Sequence, residues 1–299
     1  MDPRKASPEP LHVLVAGAGW LGSAVAERLA ARGHRVTAVR RDPRRAAALA
    51  RPGVTPLALD LLDPAAPGRL PGDLTAVVAC QSADGEGGEA YLRAYVEANR
   101  VLLEAARARG RDLRAFVYTG STGVFGQRDG SDVDEGTPPV PAGPAGEALL
   151  QAERLVLDAA ARGLPASVLR LSGLYGPGRA WPVERVRAGL LRLGPGDGAW
   201  MNLLHLEDAA EGVVAAVERG LAGRVLHATD AASPRRRELV EWVAARLGIP
   251  APRAPDGAPP PAAPDRRILG EATRRELGLV LRYPSFREGV EALLSRGAA

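Results

Sequence analysis

Val13-Leu14-Val15-Ala16-Gly17-Ala18-Gly19-Trp20-Leu21-Gly22 is an apolar strand that runs directly into a G-x-G-x-x-G turn. Gly17 permits the tight turn, Gly19 lets the backbone approach a pyrophosphate, and Gly22 lets the following helix pack on the strand. The helix opening there turns free N–H groups and the positive end of its dipole toward phosphate. The turn follows a strand, opens a helix and begins a long strand–helix alternation, so it reads as a dinucleotide site. Expected cofactor-binding residues are Gly17, Gly19, Trp20, Leu21 and Gly22, with Arg40 and Arg41 after the second strand and Asp60 and Leu61 after the third.

Outward from the turn, apolar residues at helical spacing over 23–32 stop at Gly33. Strands are expected at 34–39, 54–59, 74–79 and 115–119, with helices at 43–50 and 91–109. This rhythm predicts an α/β fold: a Rossmann-like, doubly wound parallel sheet with helices on both faces. A helix at 147–162 and a strand at 167–171 continue the pattern. Beyond Tyr175 the elements shorten, with a helix at 207–219, a strand at 225–228 and a helix at 235–247. The expected organisation is a disordered tail at 1–10, a dinucleotide-binding domain at 11–174 and a smaller C-terminal substrate region at 175–299, from which one strand returns to the main sheet. Residues 251–264, dense in Pro and Ala, read as an extended linker or excursion.

Among the 299 residues Lys5 is the only lysine, which excludes any mechanism that needs a catalytic one. The single cysteine, Cys80, excludes an internal disulfide and a multi-cysteine metal site, and its apolar setting suits a small buried side chain. No metal is expected. Arginines are spread along helices, and aromatics make up only 4% of the chain, a composition unlike that of a nucleic-acid binder. Apolar runs such as 74–79 and 212–217 are far short of the roughly 20 residues a membrane span needs. With no apolar leader in the first ten residues, a cytoplasmic protein is expected.

The end of the second strand chooses the cofactor. Sites for NAD usually place a carboxylate there for the ribose 2′-OH, whereas this chain has Val39-Arg40-Arg41. Guanidinium binds phosphate through paired, charge-assisted hydrogen bonds, so NADP is preferred over NAD. The alternative leaves both arginines solvated, with Asp42 holding the ribose. Asp60 has two readings as well: acceptor for the adenine amino group, or cap of the next turn.

Four further stretches extend the pattern. They are Val117-Tyr118-Thr119-Gly120-Ser121-Thr122-Gly123-Val124-Phe125-Gly126, Leu169-Arg170-Leu171-Ser172-Gly173-Leu174-Tyr175-Gly176-Pro177-Gly178-Arg179, Asn202-Leu203-Leu204-His205-Leu206-Glu207-Asp208-Ala209-Ala210, and Glu276-Leu277-Gly278 with Tyr283-Pro284-Ser285. In this order they resemble the extended short-chain dehydrogenase/reductase superfamily, in its NAD-dependent epimerase/dehydratase branch. The resemblance implies that the first stretch carries the active-site Ser or Thr and the second lies near nicotinamide and substrate.

Active members carry a Tyr and, four residues later, a Lys on the helix after the Ser loop. Spacing from Ser121 puts those positions near Gly146 and Leu150, and no Tyr lies between Tyr118 and Tyr175. The chain therefore resembles an atypical, sugar-nucleotide epimerase-like member. Its catalytic candidates are Ser121, flanked by Thr119 and Thr122, and Tyr175. For each a bland reading stands beside the catalytic one: Ser121 satisfying its own loop backbone, Tyr175 packing under the substrate region. His205 is expected to make a structural hydrogen bond, Asp134 and Glu135 to lie in a capped or solvated loop, and Glu153 to be a surface carboxylate. The implied function is hydride chemistry on a hydroxyl or carbonyl of a small polar substrate, a nucleotide sugar among the options. The alternative is a non-catalytic NADP(H)-binding module that reports redox state to a partner protein. A homodimer on the helices at 91–109 and 147–162 is compatible with such a member, though no residue requires one.

Overall fold

The computed structural model describes residues 9–85, 87–259, 263–295 and 297; Lys5, most of the expected tail and part of the Pro/Ala stretch lie outside them. The main strands are β1 (His12–Ala16), β2 (Arg35–Arg40), β3 (Val54–Ala58), β4 (Ala76–Ala79), β5 (Ala115–Ser121), β7 (Ala166–Leu171) and β10 (Val225–Ala228). They form one seven-stranded parallel sheet in the order β10-β7-β5-β4-β1-β2-β3. Every residue of β1, β4 and β7 is buried. Such uninterrupted apolar runs form where helices cover both faces of a parallel sheet. The late strand β10 lies at one edge of this sheet.

The strand order sets the site. From β1 the chain proceeds outward to β2 and β3, then crosses back to place β4 on the other side of β1. Ligands of open α/β sheets sit at such a reversal, beyond the carboxyl ends of the strands. Here β1 is followed by Gly17, and β4 by Cys80 and Gln81.

The chain groups into two compact units that alternate along the sequence. The first comprises residues up to Thr119, Gln151–Val168 and Val213–Arg224; the second comprises Gly120–Leu150, Leu169–Gly212 and the residues from Val225 on. The chain leaves the first unit within β5 and again within β7, and later re-enters it.

In the first unit, α1 (Trp20–Ala31) follows the glycine turn and α2 (Pro43–Ala47) follows β2. A short α3 (Ala66–Arg69) precedes β4. The helix expected at 91–109 has three parts: α4 (Gly88–Tyr91), a π-helical turn over Leu92–Glu97, and α5 (Ala98–Arg107). Its extra residue per turn rotates one face of the helix relative to a plain α-helix, and such turns concentrate at functional sites. The helix α6 (Pro144–Ala161) enters this unit with its second half. Glu153 on it is 1% exposed, which corrects the expected surface carboxylate. It lies close enough to Tyr118 to help push that buried phenol's pKa up, after desolvation.

In the second unit β6 (Asp132–Val133) pairs with β11 (Arg267–Ile268), and β8 (Gly173–Tyr175) pairs with β9 (Leu203–His205). Here α7 (Trp181–Arg187), α9 (Arg236–Leu247) and α11 (Phe286–Ser295) enclose a core that includes Val183, Leu203, Val240, Phe286 and Val290. The remaining helices are α8 (Leu206–Arg219), which continues into the first unit, and α10 (Glu271–Leu277).

Candidate functional site: a dinucleotide cleft and a serine loop

In the first unit the three glycines of the turn do different work. Gly17 has φ +83°, and a Cβ there would sit 2.4 Å from the Cα of Gln81. A Cβ on Gly22 would sit 2.5 Å from the Gly17 carbonyl oxygen, so its absence lets α1 close on the strand end. Gly19 answers to neither constraint: its φ is −80°, and the nearest atom to an added Cβ is 3.8 Å away. The space beside Gly19 is not filled by protein. No side chain caps α1 and no acid stands in its first turn, which leaves the helix end suited to an anion. Ser23 Oγ donates to the Gly19 carbonyl at 2.6 Å and stiffens the turn.

The turn opens on a cleft of about 280 Å³ lined by Gly17, Gly19, Arg40, Asp60, Gln81 and Arg93, among others. Trp20, Leu21 and Gly22 sit at the start of α1, with Leu21 and Gly22 buried, and Leu61 also lines the cleft. At its mouth the charges are unevenly engaged. Arg41 is ion-paired with Asp84, from the loop after β4. Asp42 accepts the Arg45 N–H at 2.7 Å as N-cap of α2. Asp60 accepts the Leu62 N–H at 3.0 Å, the capping reading of that residue. Arg40, half-buried, makes no ion pair among the described residues, and neither does the exposed Arg93. Arg93 escaped the sequence reading because the π-helical turn that carries it has no spacing signature. Near the cleft floor Gln81 donates to Asn99 at 3.3 Å, and both side chains keep a further buried polar atom without a partner. Cys80 is buried as expected, and desolvation pushes its thiol up to about 11.

In the second unit the loop after β5 turns through a 3₁₀ segment, Thr122–Val124. Ser121 Oγ accepts the Gly123 N–H at 3.0 Å, the backbone-satisfying bond expected of it. That bond uses a lone pair and leaves the hydroxyl proton free to donate. Thr122 is buried and its hydroxyl donates to the Leu171 carbonyl at 3.4 Å. In the first unit buried Thr119 donates to Ala79 O at 3.1 Å. Ser121, half-buried, is the accessible hydroxyl of the three. Gly146, where spacing places the absent Tyr, lies against this same loop. A Cβ there would be 3.0 Å from the Gly123 carbonyl oxygen and 3.0 Å from Pro141 Cβ.

Tyr175 departs from what a proton donor needs. Its ring is 1% exposed in the core of the second unit, and a Cβ added at Gly289 would collide with its hydroxyl. Desolvation, then the nearby Asp230 and Asp208 carboxylates, drive its pKa far above the ordinary phenol value. An edge-to-face contact with His205 completes its packing.

The N-x-x-H-x-x-D stretch stitches the unit together. Asn202 donates to Arg266 O and accepts from the Ile268 N–H, both at 2.8 Å. His205, 1% exposed, accepts the Glu207 N–H at 3.2 Å and stacks 3.9 Å from Tyr283. Buried Asp208 accepts the backbone N–H groups of Arg282 and Tyr283 at 2.7 and 2.9 Å. Asp134 closes its own turn with Gly136 and Thr137, while Glu135 accepts from Thr273 Oγ1 at 2.7 Å. No group of three or more His, Cys, Asp or Glu among the described residues is arranged to hold a metal ion. No helix among them is long and apolar enough to cross a membrane.

Residues 13–228 match the model of the NAD dependent epimerase/dehydratase family. The chain is 32% identical to 3-diazoavenalumate denitrifying reductase of a Streptomyces species, over 94% of this chain and 99% of that protein. It is 28% identical to Protein YeeZ of Escherichia coli K12, over 91% and 96%. A solved structure of MoeE5 in complex with UDP-glucose and NAD superposes with a TM-score of 0.79 at 26% identity, covering 96% of this chain and all of that one.

Proposed function

Because the chain belongs to the NAD-dependent epimerase/dehydratase family, we propose that it is an NADP(H)-dependent oxidoreductase acting on a small polar substrate. The observation that carries this reading is Gly19, whose missing side chain serves no contact inside the protein and leaves room beside an uncapped helix end. In this reading the turn and the first N–H groups of α1 hold the pyrophosphate. Arg40 holds the 2′-phosphate, since Arg41 is engaged by Asp84 and Asp42 is spent as a helix cap. Arg93 adds positive charge to the same cleft. The cofactor supplies or accepts the hydride when bound. Ser121, its lone pair fixed by Gly123, donates its hydroxyl proton toward a substrate hydroxyl or carbonyl oxygen. Tyr175 takes the packing role.

Substrate options follow the relatives: MoeE5 is described with UDP-glucose, which supports a nucleotide sugar, and the Streptomyces relative is a reductase, which supports the reducing direction. A second reading, a non-catalytic NADP(H)-binding module, is favoured by the crowding at Gly146 and the burial of Tyr175. Calorimetric titration of ligand-free protein with NADPH, NADP, NADH and NAD tests the cofactor; micromolar binding that favours the phosphorylated pair is expected, and no binding of any of the four overturns the proposal. A panel of sugar nucleotides, aldehydes and ketones then separates the readings, since tight NADPH binding with no turnover leaves only the module.

A further inference from the structure

Two adjacent arginines in β11 and the residue before it are partnered in the reverse of the usual order. Arg267, exposed, holds a bidentate ion pair with Asp132 at 2.8 and 2.6 Å. Arg266, 8% exposed, has no carboxylate partner among the described residues. One of its terminal nitrogens donates to the Thr122 carbonyl at 2.6 Å, and its Nε is buried with no acceptor. The neighbouring acid Asp265 is engaged by the Trp200 N–H at 2.9 Å. Buried charges in proteins are ordinarily paired, because desolvating an ion is expensive and only a close counter-charge offsets it. Desolvation lowers the Arg266 pKa to about 10, and no neighbouring carboxylate acts against it. The carbonyl it grips belongs to the residue after Ser121.

We propose that Arg266 is a substrate-binding residue that pairs with a carboxylate or phosphate oxyanion of the substrate beside the Ser121 loop. The proposal rests on the reading of Ser121 as the reacting loop, and it narrows the substrate class to anions. A guanidinium with a vacant Nε–H and a fixed terminal N–H is suited to an oxyanion, which accepts several such bonds at once. The oxyanion would supply the counter-charge that the fold does not.

The test titrates ligand-free protein with inorganic phosphate and with benzoate at constant ionic strength, for the native chain and for Arg266→Gln, Arg267→Gln and Arg40→Asp. Saturable binding of at least one anion that falls tenfold or more in Arg266→Gln, and is unchanged in Arg267→Gln, is the expected result; which anion binds tells phosphate from carboxylate chemistry. Loss in Arg40→Asp alone assigns the anion to the cofactor cleft and overturns the proposal, as does binding to none of the four proteins. Equal binding to the native chain and Arg266→Gln reduces Arg266 to a prop for the Thr122 carbonyl. If Arg266→Gln does not fold, the Nε–H resonance of Arg266 in the native chain gives the same decision: it moves on anion addition or the proposal fails. A failed cofactor reading appears separately, in the nucleotide titration.

Discussion

Substituting Gly19 and Gly17 by alanine separates a glycine kept for a ligand from one kept for the fold. At Gly17 the new methyl meets the Gln81 backbone at 2.4 Å with φ +83°. The left-handed conformation costs a non-glycine residue roughly 1–2 kcal/mol, and overpacking adds about 1–3 kcal/mol. Gly17→Ala is therefore destabilised by about 2–5 kcal/mol, which at about 2 °C per kcal/mol for a chain this long lowers Tm by roughly 4–10 °C. At Gly19 the nearest atom is 3.8 Å away, so no clash opposes the methyl. Gly19→Ala is expected to keep Tm within about 2 °C, since Gly-to-Ala changes without strain alter stability by only about 0.4–1 kcal/mol. Its methyl instead takes the place of the approaching pyrophosphate, and NADPH binding falls at least tenfold, a change of about 1.4 kcal/mol. Differential scanning fluorimetry and calorimetry on both variants provide the two readouts. A Gly19→Ala protein that binds NADPH as the native chain does, or that loses as much stability as Gly17→Ala, refutes the assignment of that space to a ligand.

Arg40→Asp is expected to weaken NADPH far more than NADH, because the 2′-phosphate would meet a carboxylate; equal losses in parallel titrations show that Arg40 is not the discriminator. With its thiol near 11 instead of the ordinary 9.0, Cys80 is expected to react with a thiol reagent at pH 8 about a hundredfold more slowly than a free cysteine, with full reactivity restored in denaturant. His227 is held near 4, against an ordinary 6.5, by burial and then by the Arg170 guanidinium. Its folded pKa lies below the unfolded one, so its neutral form contributes fully above pH 6.5, and that contribution is lost as pH falls toward 4. Between pH 8 and pH 5 this amounts to about 2 kcal/mol of unfolding free energy. Urea unfolding of the native chain and of His227→Gln across that range checks it: the variant's curve is the flatter, and parallel curves refute the attribution.

The sheet was legible because its strands are apolar runs with glycine stops, and β1, β4 and β7 lie within two residues of their expected bounds. The start of α1 was read three residues late because its first turn consists of the cofactor motif itself. Two-residue pairings such as β6 with β11 leave no periodicity to detect, so the setting of Arg266, just beyond the Pro/Ala-rich stretch, was invisible. Glu153 was read as a surface acid because helical spacing gives a face but not what covers it. Asn202, His205 and Asp208 were readable as a motif, yet only the geometry shows Asn202 and Asp208 fastening backbone groups of distant segments while His205 closes its own turn and packs on Tyr283.

The packing at Gly146 bears on the direction in which this chain can diverge. With the Gly123 carbonyl and Pro141 each 3.0 Å from the place of its absent Cβ, even the first carbon of a side chain is crowded here. A lone Gly146→Tyr change would have to push apart the very loop that carries Ser121, before any lysine at Leu150 could help. A step toward the Tyr–Lys arrangement thus strains the fold before it can add chemistry.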